Sequence, residues 1–381
     1  MYKERAILTF YSETPIHMGA GQSVSYVDLP VQRERHTSFP ILWSSGIKGV
    51  VRDLALRVWN DKDKVETIFG PEDGSSDFAS CISITDAKIL LYPVRSLKGV
   101  FAWITCPFVL KRFKEDLKAA GINFEKEIEK EIEILDDEKI GISQNSKLKI
   151  NNDEVVLEEF VFKVDNTQFQ NVSDLANFLK KFLPDNSLIQ SLENHLAIVS
   201  DNVFKDFVNY AVEVRTRIRI DQARGTVKEG ALFTEELIPS ESIFYSLVFI
   251  TDPFFGIDRS LYELFLNEYN NQSNLDWSIA KNNVNQQIQQ LKASVNPDDR
   301  QKGLMLEKEF NKVKGKIEEK MKKAYDDGYF VAESQNKKND IQKQIENILN
   351  DKILQLGGDE TTGKGYVRVK FYSENQKGGL Q

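Results

Sequence analysis

The stretch SSGIKGVVRDLALRVW, residues 44–59, decides the fold expected for the N-terminal part of this sequence. Its apolar side chains recur every three or four residues, which predicts an amphipathic helix with one buried face. Ser44 or Ser45 is suited to cap the first turn of this helix. The apolar face consists of Ile47, Val50, Val51, Leu54 and Val58.

Segments with the pattern of β-strands flank this helix on both sides. Residues 5–12, RAILTFYS, precede it, and residues 81–93 and 100–106 follow it. An order of strand, helix, strand, strand is typical of α+β folds with a mainly antiparallel sheet. We therefore predict an α+β fold for this part of the chain.

The rest of the chain is expected to add to this fold. Residues 111–195 are predicted to mix helices with charged strands, and further strands are predicted at 209–220 and, as a pair, within 231–250. Residues 258–355 are rich in Asn, Gln, Lys and Glu, and their apolar residues follow helical spacing, which predicts a helical insertion. A final strand is predicted at 365–372.

The bulk composition indicates a globular protein. A length of 381 residues predicts two domains, or one domain with large insertions. Hydrophobic residues make up 41% of the chain without any run long enough to cross a membrane, and the N-terminus lacks the pattern of a signal peptide. Cys81 and Cys106 are too few to build a disulfide framework or a zinc site, so we expect a reducing, cytoplasmic environment.

The charge balance argues against a general nucleic-acid binder but leaves a local binding surface open. The formal net charge is −8, whereas phosphate contacts require Lys and Arg. The charges are segregated, however, into acidic stretches such as residues 124–138 and basic ones such as residues 214–228. Whether the chain can bind nucleic acid therefore depends on where its basic residues cluster, not on its net charge.

The strongest basic stretch is VEVRTRIRIDQARGTVKEG, residues 212–230. Strand alternation places Arg215, Arg217 and Arg219 on one face, where three like charges require a partner. Either acidic side chains of this chain or a phosphate backbone could be that partner. Arg224 and Lys228 extend the basic strip into the predicted hairpin turn.

A glycine-rich loop, GGDETTGKGYVRV at residues 357–369, resembles a nucleotide-binding P-loop only in part. Gly365 replaces the hydroxyl residue that would hold magnesium, two acidic residues would repel phosphates, and a strand follows instead of a helix. A tight turn before an edge strand is one alternative. Another is a loop whose glycines let the main chain approach an RNA backbone, with Gly357, Gly358, Gly363 and Lys364 as the binding residues.

A second possible anion site lies at the start of the predicted helix 44–59. Ser44, Ser45, Lys48 and Arg52 crowd its first turns, where exposed N–H groups attract anions. The alternative is an ordinary capped helix with a solvated lysine. Gly46 and Gly49 favour a binding role, since two glycines in the first turns cost helix stability.

The N-terminal loop contains the side chains best suited to catalysis. His17, Asp28 and His36 could form an acid–base pair or a metal site, although their spacing matches no known metal pattern and also fits a polar surface loop. Arg33 and Arg35 follow Asp28 closely and, with His36, are candidate phosphate contacts.

Four segments of the sequence together resemble a known family. They are residues 14–53, 78–99, 214–246 and 357–369. In these segments the chain is similar to the RAMP-superfamily backbone subunits of type III-B (Cmr) CRISPR effector complexes. The first segment combined with the glycine-rich loop is the most specific part of the match.

The resemblance implies a ferredoxin-like, RRM-type palm with a β-hairpin thumb. The palm would comprise residues 1–110, 196–257 and 356–372, with the thumb near 212–230. Residues 111–195 would form an insertion of mixed helix and strand, and residues 258–355 a mainly helical one. Residues 373–381 would be a flexible tail.

The resemblance also implies a function. Family members stack along a CRISPR RNA (crRNA) with neighbouring copies and other Cmr subunits, and cut paired target RNA at regular intervals with Mg²⁺ or another divalent metal. The family's catalytic aspartate matches Asp28, and His17, Glu235 and Glu236 match residues associated with its site. A free aspartate, with a pKa of about 3.9, is a weak base at neutral pH, which favours a metal-binding role for Asp28. The alternative is a catalytically inactive backbone subunit that binds crRNA.

Overall fold

The structure is a computed structural model. It describes residues 2, 4–23, 26–72, 79–122, 132, 134, 136–150, 153–221, 224–251, 253, 255, 257–271, 276–326 and 341–373. The side chains of Arg219 and Lys228 lie outside the described ones, as does all of the predicted tail after Ser373.

Fourteen strands are found within the described residues. They are β1 (Glu4–Ser12), β2 (Ile41–Leu42), β3 (Ile82–Ile84), β4 (Ala87–Arg95), β5 (Phe101–Thr105), β6 (Lys139–Ile142), β7 (Glu154–Leu157), β8 (Phe160–Val164), β9 (Leu196–Ile198), β10 (Glu213–Asp221), β11 (Thr226–Leu237), β12 (Ile243–Ile250), β13 (Ile353–Gln355) and β14 (Tyr366–Tyr372).

Twelve α-helices are found in the same parts of the chain. They are α1 (Ser44–Trp59), α2 (Lys62–Phe69), α3 (Pro107–Ala119), α4 (Phe169–Lys180), α5 (Ser187–Gln190), α6 (Leu192–His195), α7 (Asp201–Tyr210), α8 (Arg259–Asn271), α9 (Trp277–Lys292), α10 (Pro297–Phe310), α11 (Lys316–Asp326) and α12 (Ile341–Leu349). Within the described residues, none of these helices has both the length and the apolar character needed to cross a bilayer.

The chain separates into two compact units. A helical unit comprises Met1–Glu4, Arg52–Ser83 and Phe249–Ile348, and a sheet unit comprises Arg5–Val51, Ile84–Val248 and Leu349–Gln381. The helical character predicted for residues 258–355 is confirmed by α8 to α12, and β13 is the short exception near the end of that range.

The sheet unit is built on a large, mainly antiparallel sheet, as the sequence predicts. Ten strands follow one another in the order β13-β14-β1-β12-β4-β5-β9-β6-β8-β7, and β2 pairs with β4. Only the pairs β5–β9 and β6–β8 are parallel among those whose register is described. The central strand β1 is buried along seven consecutive residues, Ala6–Ser12, because neighbouring strands and helices cover both of its faces.

The helix predicted at residues 44–59 is confirmed to the residue. Of its predicted apolar face, Ile47 and Val51 are fully buried, Val50 and Leu54 are half-buried and Val58 is exposed, while Ala55, which was not predicted, is buried. The group that satisfies its first N–H differs from the predicted one. The N–H of Ser44 donates to Oδ1 of Asp86 at 2.7 Å. The cap is thus a carboxylate 42 residues away in sequence, which local reasoning does not detect.

Two predicted strands differ from the observed elements. The segment 81–93 forms two strands, since Thr85 and Asp86 interrupt it and Asp86 caps α1. The strand predicted at 209–220 begins only at Glu213, because α7 extends to Tyr210. Ser200 caps α7 by accepting from the N–H of Val203 at 3.2 Å, so helical pattern overrides alternation there.

The strands β10 and β11 form a separate two-stranded hairpin at residues 213–237. Its register pairs Arg215 with Glu235 and Thr216 with Thr234. The face of the hairpin opposite to Arg215 and Glu235 carries apolar side chains that are largely exposed, including Ile218 at 52% and Leu232 at 66%. A hairpin of this kind is marginally stable alone, so its base must be held by other segments.

The helical unit has a core of its own. The ring of Phe265 stacks on that of Trp277, with centroids 5.0 Å apart, and Tyr325 packs edge-on against Trp277. Helix α11 is joined to the α2 region by ion pairs of Lys323 with Asp61 at 2.8 Å and with Asp63 at 3.1 Å. The segment 52–83 therefore belongs with the later helices.

Candidate functional site

The loop that carries Asp28 runs along the edge of β11 that does not pair with β10. The N–H of Leu29 donates to the carbonyl of Thr234 at 3.0 Å, and the N–H of Glu236 donates to the carbonyl of Leu29 at 3.0 Å. These bonds make the loop a short parallel partner of β11 at the base of the hairpin. The tertiary pairing thus brings residues 28 and 234–236 together across about 200 positions of sequence.

Asp28 is fixed by a single residue, Thr234. Its Oδ2 accepts from the Thr234 N–H at 2.7 Å and from the Thr234 hydroxyl at 2.9 Å. These bonds stabilise the charged form, so the pKa of Asp28 lies below its ordinary value. The carboxylate is exposed on the surface, ionised at neutral pH and held in one orientation, which suits it to bind a cation.

Glu236, the neighbour of Glu235 on β11, is used to hold the loop. Its Oε2 accepts from the N–H of Val31 at 2.9 Å, and its Oε1 accepts from Arg33 at 2.5 Å. Arg33 also donates to the carbonyls of Ser38 and Val208, at 3.0 and 2.9 Å. This ion pair joins a buried Glu236 to a half-buried Arg33 and so stabilises the loop.

Glu235 points into a second cluster with His17, Arg217 and Asp359. The Glu235 side chain is only 2% exposed, and its Oε1 lies 3.5 Å from Nδ1 of His17. Arg217 contacts Oε2 of Glu235 at 3.3 Å and Oδ1 of Asp359 at 2.5 Å. One guanidinium and one imidazole thus face two carboxyl groups from distant parts of the chain.

The two carboxyl groups of this cluster titrate in opposite directions. Burial raises the pKa of Glu235, and the hydrogen bond to Asp359 raises it further. The same hydrogen bond and the Arg217 guanidinium lower the pKa of Asp359. The pKa values of the two groups are thus pushed apart, so a proton shared by the pair lies on Glu235 rather than on Asp359.

His17 is oriented by the main chain of β11. Its Nδ1 lies 2.9 Å from the carbonyl oxygen of Glu236, to which the Nδ1–H donates, and the ring is 9% exposed. A Cβ added at Gly19 would lie 2.8 Å from Nε2 of His17, so the loop glycine leaves room for the ring. His17 is packed tightly, with one tautomer favoured by its environment.

The glycine-rich loop packs directly on the His17 segment. The N–H of Gly358 donates to the carbonyl of His17 at 2.9 Å. Gly357 has φ +85, and a Cβ there would lie 2.2 Å from that carbonyl oxygen. Gly363 has φ +76 with open space around it, and Lys364 is largely buried. The loop carries Asp359 into the cluster, so close packing explains Gly357, while Gly358 and Gly363 stay accessible.

The start of α1 lies close to the same segment. The side chain of Gln32 accepts from the N–H of Trp43 and donates to the carbonyl of Gly19. A Cβ on Gly46 would lie 3.6 Å from the Met18 side chain, and one on Gly49 would meet nothing within 4 Å. Packing therefore requires neither of these glycines, which leaves close approach of a ligand as a reason for them.

The proposed RNA contacts on α1 differ in their surroundings. Ser45 is exposed and Lys48 is half-buried, whereas Ser44 donates its N–H to Asp86. Arg52 donates to the carbonyl of Gly70 at 2.6 Å, next to the end of α2. The guanidinium of Arg52 therefore has a structural partner, and the carboxylate of Asp86 weakens the attraction of this helix end for anions.

The hairpin arginines find acidic partners within the chain, one of the two alternatives that the sequence leaves open. Arg215 pairs with Glu213, and Arg217 pairs with Asp359 and Glu235. Arg224 is exposed beside the hairpin turn. Internal pairing does not prevent Arg215 from contacting a phosphate, because its side chain is still 48% exposed.

Sequence reasoning missed two members of this site. Thr234 directly precedes the candidate Glu235, but a threonine on a strand gives no catalytic signal. Asp359 was expected only to repel phosphates, and it instead binds Arg217. Both act through hydrogen bonds or ion pairs to residues more than 100 positions away, which local patterns do not reveal.

The residues present fit a metal ion only with many external ligands. Among the residues that the structure describes, no group of three or more His, Cys, Asp or Glu side chains is arranged to hold a metal. Asp28 offers one fixed carboxylate. Mg²⁺ commonly keeps several waters and binds one or two carboxylates plus substrate phosphates, so a single carboxylate beside bound RNA is compatible with it.

Comparison with known proteins gives a consistent set of relatives. A family model of the RAMP superfamily matches residues 9–368. The CRISPR system Cmr endoribonuclease Cmr4 of Pyrococcus furiosus is 38% identical over 266 residues, covering 69% of this chain and 88% of that protein. The CRISPR system CMR subunit Cmr4 of Saccharolobus solfataricus is 27% identical over 253 residues, covering 61% of this chain and 80% of that protein.

Solved structures of similar fold cover nearly the whole chain. The crystal structure of oligomeric Cmr4 from Pyrococcus furiosus superposes with a TM-score of 0.57 at 28% identity, covering 97% of both chains. A chain in the type III-B Cmr-beta complex bound to cognate target RNA superposes with a TM-score of 0.58. Its identity is 18% over 97% of this chain, so that likeness is one of fold.

Proposed function

The chain belongs to the RAMP superfamily, and within it to the Cmr4 family, and on this basis we propose that it is the backbone subunit of a type III-B CRISPR effector complex that cleaves target RNA. Its partners are then crRNA, the paired target RNA, neighbouring copies and other Cmr subunits. The oligomeric state of the Pyrococcus furiosus relative supports stacking of copies. The two cysteines, Cys81 and Cys106, are buried thiols, which favours work in the reducing cytoplasm.

We assign a ferredoxin-like palm to the centre of the sheet unit. The chain order β1, α1, β4, β5, α3 and β12 follows the β-α-β-β-α-β pattern, with further elements inserted before β12. The hairpin β10–β11 is the proposed thumb. On this assignment the insertion expected at 111–195 begins only after α3, and residues 258–355 form a second insertion into the palm.

The mechanism that we propose assigns guide contacts and chemistry to different residues. The glycine-rich loop and the start of α1 would hold the sugar–phosphate backbone of the crRNA, which leaves its bases free to pair. The thumb would unstack one nucleotide of the paired target. A splayed backbone lets the 2′-hydroxyl reach an in-line position against the neighbouring phosphate, which is a proximity effect.

Asp28 and the Glu235 cluster would contribute differently to the reaction. Asp28 has a lowered pKa and is a weak base at neutral pH, so holding a cation suits it better than accepting the proton of the 2′-hydroxyl. A divalent metal bound there would supply positive charge to stabilise the developing negative charge on the phosphate. The raised pKa of Glu235 and its position beside His17 make this cluster a better source of a proton for the leaving oxygen than Asp28 is.

The observation that supports the assignment best is the fixed, ionised Asp28 at the base of the hairpin. In the reconstituted complex with Mg²⁺, we expect Asp28→Asn and Asp28→Ala to reduce target cleavage by at least about 100-fold, as is typical for loss of a main electrostatic group. Assembly and target binding should not change. Cleavage is measured in single-turnover assays, and assembly by size exclusion with labelled crRNA.

Thr234→Val tests the same site with a smaller change than the Asp28 variants. It removes the hydroxyl bond and keeps the N–H bond to Asp28, so we expect an intermediate loss of about tenfold. Normal cleavage by Asp28→Asn would contradict the assignment of Asp28. Full assembly of the wild-type complex without cleavage in any divalent metal would favour the alternative, an inactive crRNA-binding backbone subunit.

A further inference from the structure

A cleft of about 700 Å³ lies in the sheet unit, and neither Asp28 nor Thr234 lines it. One wall is the turn between β7 and β8 with the first part of β8, and the other is α7. The size is that of a pocket for a small molecule or a few side chains. The proposed reaction uses none of the side chains that line this cleft.

The floor of the cleft is aromatic and partly open to solvent. Phe207 and Phe162 are buried, and their ring centroids lie 6.2 Å apart. Phe160 packs edge-on against Phe207 at 5.8 Å and is nevertheless 60% exposed, and Tyr210 at the end of α7 is 78% exposed. Exposed aromatic side chains grouped in a concave surface are typical of an interaction site.

The rim of the cleft is acidic. Its lining residues include four carboxylates, Asp137, Glu158, Glu159 and Asp206, and no Lys, Arg or His. Arg95 lies nearby and pairs with Glu158 and Glu159, each at 3.0 Å. Asp137 accepts hydrogen bonds from the neutral Ser200 and Asn202. One guanidinium against four carboxylates leaves the cleft negative.

This charge decides which class of ligand fits. A negative cleft repels a phosphate backbone, so RNA is a poor occupant. Among the described residues these carboxylates form no group that could hold a metal ion. An arginine or lysine side chain fits, because the carboxylates attract its charge and the aromatic faces bind it by cation–π contact.

The basic hairpin of a second copy is a weaker candidate than another protein. Arg215 is paired with Glu213, and Arg217 is paired with Asp359 and Glu235, while Arg224 is exposed beside the turn. Transfer of Arg215 or Arg217 into the cleft of a neighbour would break those pairs. A segment of a different protein carries no such cost.

We propose that this cleft docks a segment of a different protein in which an arginine or lysine stands beside an apolar residue. The basic group binds between Glu159 and Asp206, and the apolar residue packs on Phe160 and Tyr210. The proposal goes beyond RNA cleavage. It rests on the proposed function in one respect, because the test uses the type III-B complex to which that function assigns the chain.

The test places a photo-crosslinking amino acid, benzoylphenylalanine, at Tyr210 in the reconstituted complex. This position is exposed and already aromatic, so the fold should tolerate the change. After irradiation, mass spectrometry identifies the crosslinked peptide. We expect a peptide of another protein subunit that contains Arg or Lys within a few residues of the crosslink.

The charge requirement is tested in the same chain. Glu159→Gln combined with Asp206→Asn should lower the crosslink yield by at least about fivefold, because both attractive carboxylates are lost. Glu115→Gln combined with Asp185→Asn removes two exposed carboxylates elsewhere in the sheet unit and should leave the yield unchanged.

Four results would overturn the proposal: a crosslink to a second copy of this chain, a crosslink to RNA, no crosslink in an assembled complex, or equal yields in the two charge variants. Target cleavage is assayed in the same samples. A complex that assembles and cleaves but gives no such crosslink disproves the docking site alone. A complex that crosslinks as expected but never cleaves counts only against the proposed function.

Discussion

Glu235 and Glu236 are adjacent in sequence and have different surroundings, because successive side chains of a strand point to opposite faces. Glu236 binds Arg33 and the N–H of Val31, whereas Glu235 faces His17 and Asp359. The sequence marks both residues equally as catalytic candidates. Only their faces distinguish a residue that holds the loop from one that can take part in proton transfer.

The two glutamates can be separated by matched substitutions. Glu236→Gln removes a buried charge from Arg33, and we expect it to lower the free energy of unfolding by about 3 kcal/mol. Glu235→Gln keeps the shape of a carboxyl group whose charged form is disfavoured by burial, so it should change stability by less than about 1 kcal/mol. It should nevertheless slow target cleavage at least tenfold. Urea denaturation and single-turnover cleavage provide the two measurements.

The opposite pattern, with stability lost in Glu235→Gln and cleavage lost in a stable Glu236→Gln, would contradict this division of roles. Equal loss of cleavage and of stability in both variants would show that the two glutamates act together in holding the loop.

Glu241 should make the stability of the folded protein depend on pH. Burial raises the pKa of Glu241 from 4.5 to about 7, and its Oε2 has no hydrogen-bond partner among the described residues. Because the folded pKa lies above the unfolded one, this residue favours the folded state most at pH below 4.5, and the benefit is lost as pH rises towards 7. Wild type therefore loses stability in that interval.

Glu241→Gln should abolish this pH dependence. Allowing for partial exposure, we expect the variant to gain about 1–2 kcal/mol relative to wild type between pH 4.5 and pH 8. Urea denaturation at several pH values measures the difference. Glu115→Gln, at an exposed carboxylate, serves as the control, and parallel curves for wild type and Glu241→Gln would contradict the burial of this group.

At the scale of elements, the glycine-rich loop packs on the His17 segment and thereby places Asp359 beside Arg217 of the hairpin. Its contact with the His17 segment requires a close backbone approach at Gly357, whereas Gly363 faces open space. Both glycines have positive φ, so they differ mainly in crowding. This difference provides a matched pair of substitutions within one loop.

Gly357→Ala should lower the free energy of unfolding by about 3–4 kcal/mol, since it adds a steric overlap to the backbone strain. Gly363→Ala should cost only about 1 kcal/mol, which is the strain alone. Gly357→Ala should also reduce cleavage by displacing Asp359 from Arg217. Equal losses of stability in the two variants, measured by urea denaturation, would show that the loop is not pressed against His17.

At the scale of the whole molecule, the proposed function requires an acidic protein to bind an anionic guide. The net charge is −8, and Arg52 and Arg217 are engaged within the chain. On the proposed function, RNA binding should therefore rely on exposed N–H groups and on stacking of copies as well as on the remaining basic side chains. Such a subunit should bind RNA weakly alone and more tightly when copies assemble.

The salt dependence of crRNA binding tests this view. If all five basic residues of the strip 212–230 neutralised phosphates, they would contribute about −3.5 per subunit to the log–log slope, in addition to any contribution from the start of α1 and the glycine-rich loop. We expect a contribution nearer −2 from the strip, because part of it is paired internally. Fluorescence anisotropy of labelled crRNA over a range of salt concentrations measures it. A contribution from the strip of about −3.5 would mean that the internal ion pairs are exchanged for phosphates.

Much of the secondary structure could be predicted because it is determined locally. The helix at 44–59 and the helices within 258–355 follow from apolar spacing, which depends on neighbours three and four positions apart. The boundaries at 81–93 and 209–220 were wrong for two reasons. Asp86, which lies between β3 and β4, binds the first N–H of α1, and α7 continues to Tyr210 before β10 begins at Glu213.

By itself the sequence determined the α+β class, the helical insertion, the positions of the candidate residues Asp28, His17 and Glu235, and the family to which they point. The tertiary structure alone decided how these residues meet. Pairing of the 28–31 loop with β11 fixes Asp28 on Thr234, turns Glu236 to Arg33, and brings Asp359 to Glu235 and Arg217. The physical reason is that the pKa and orientation of a side chain depend on partners that are distant in sequence. The hydrophobic pattern that predicts helices and strands depends only on residues nearby in sequence.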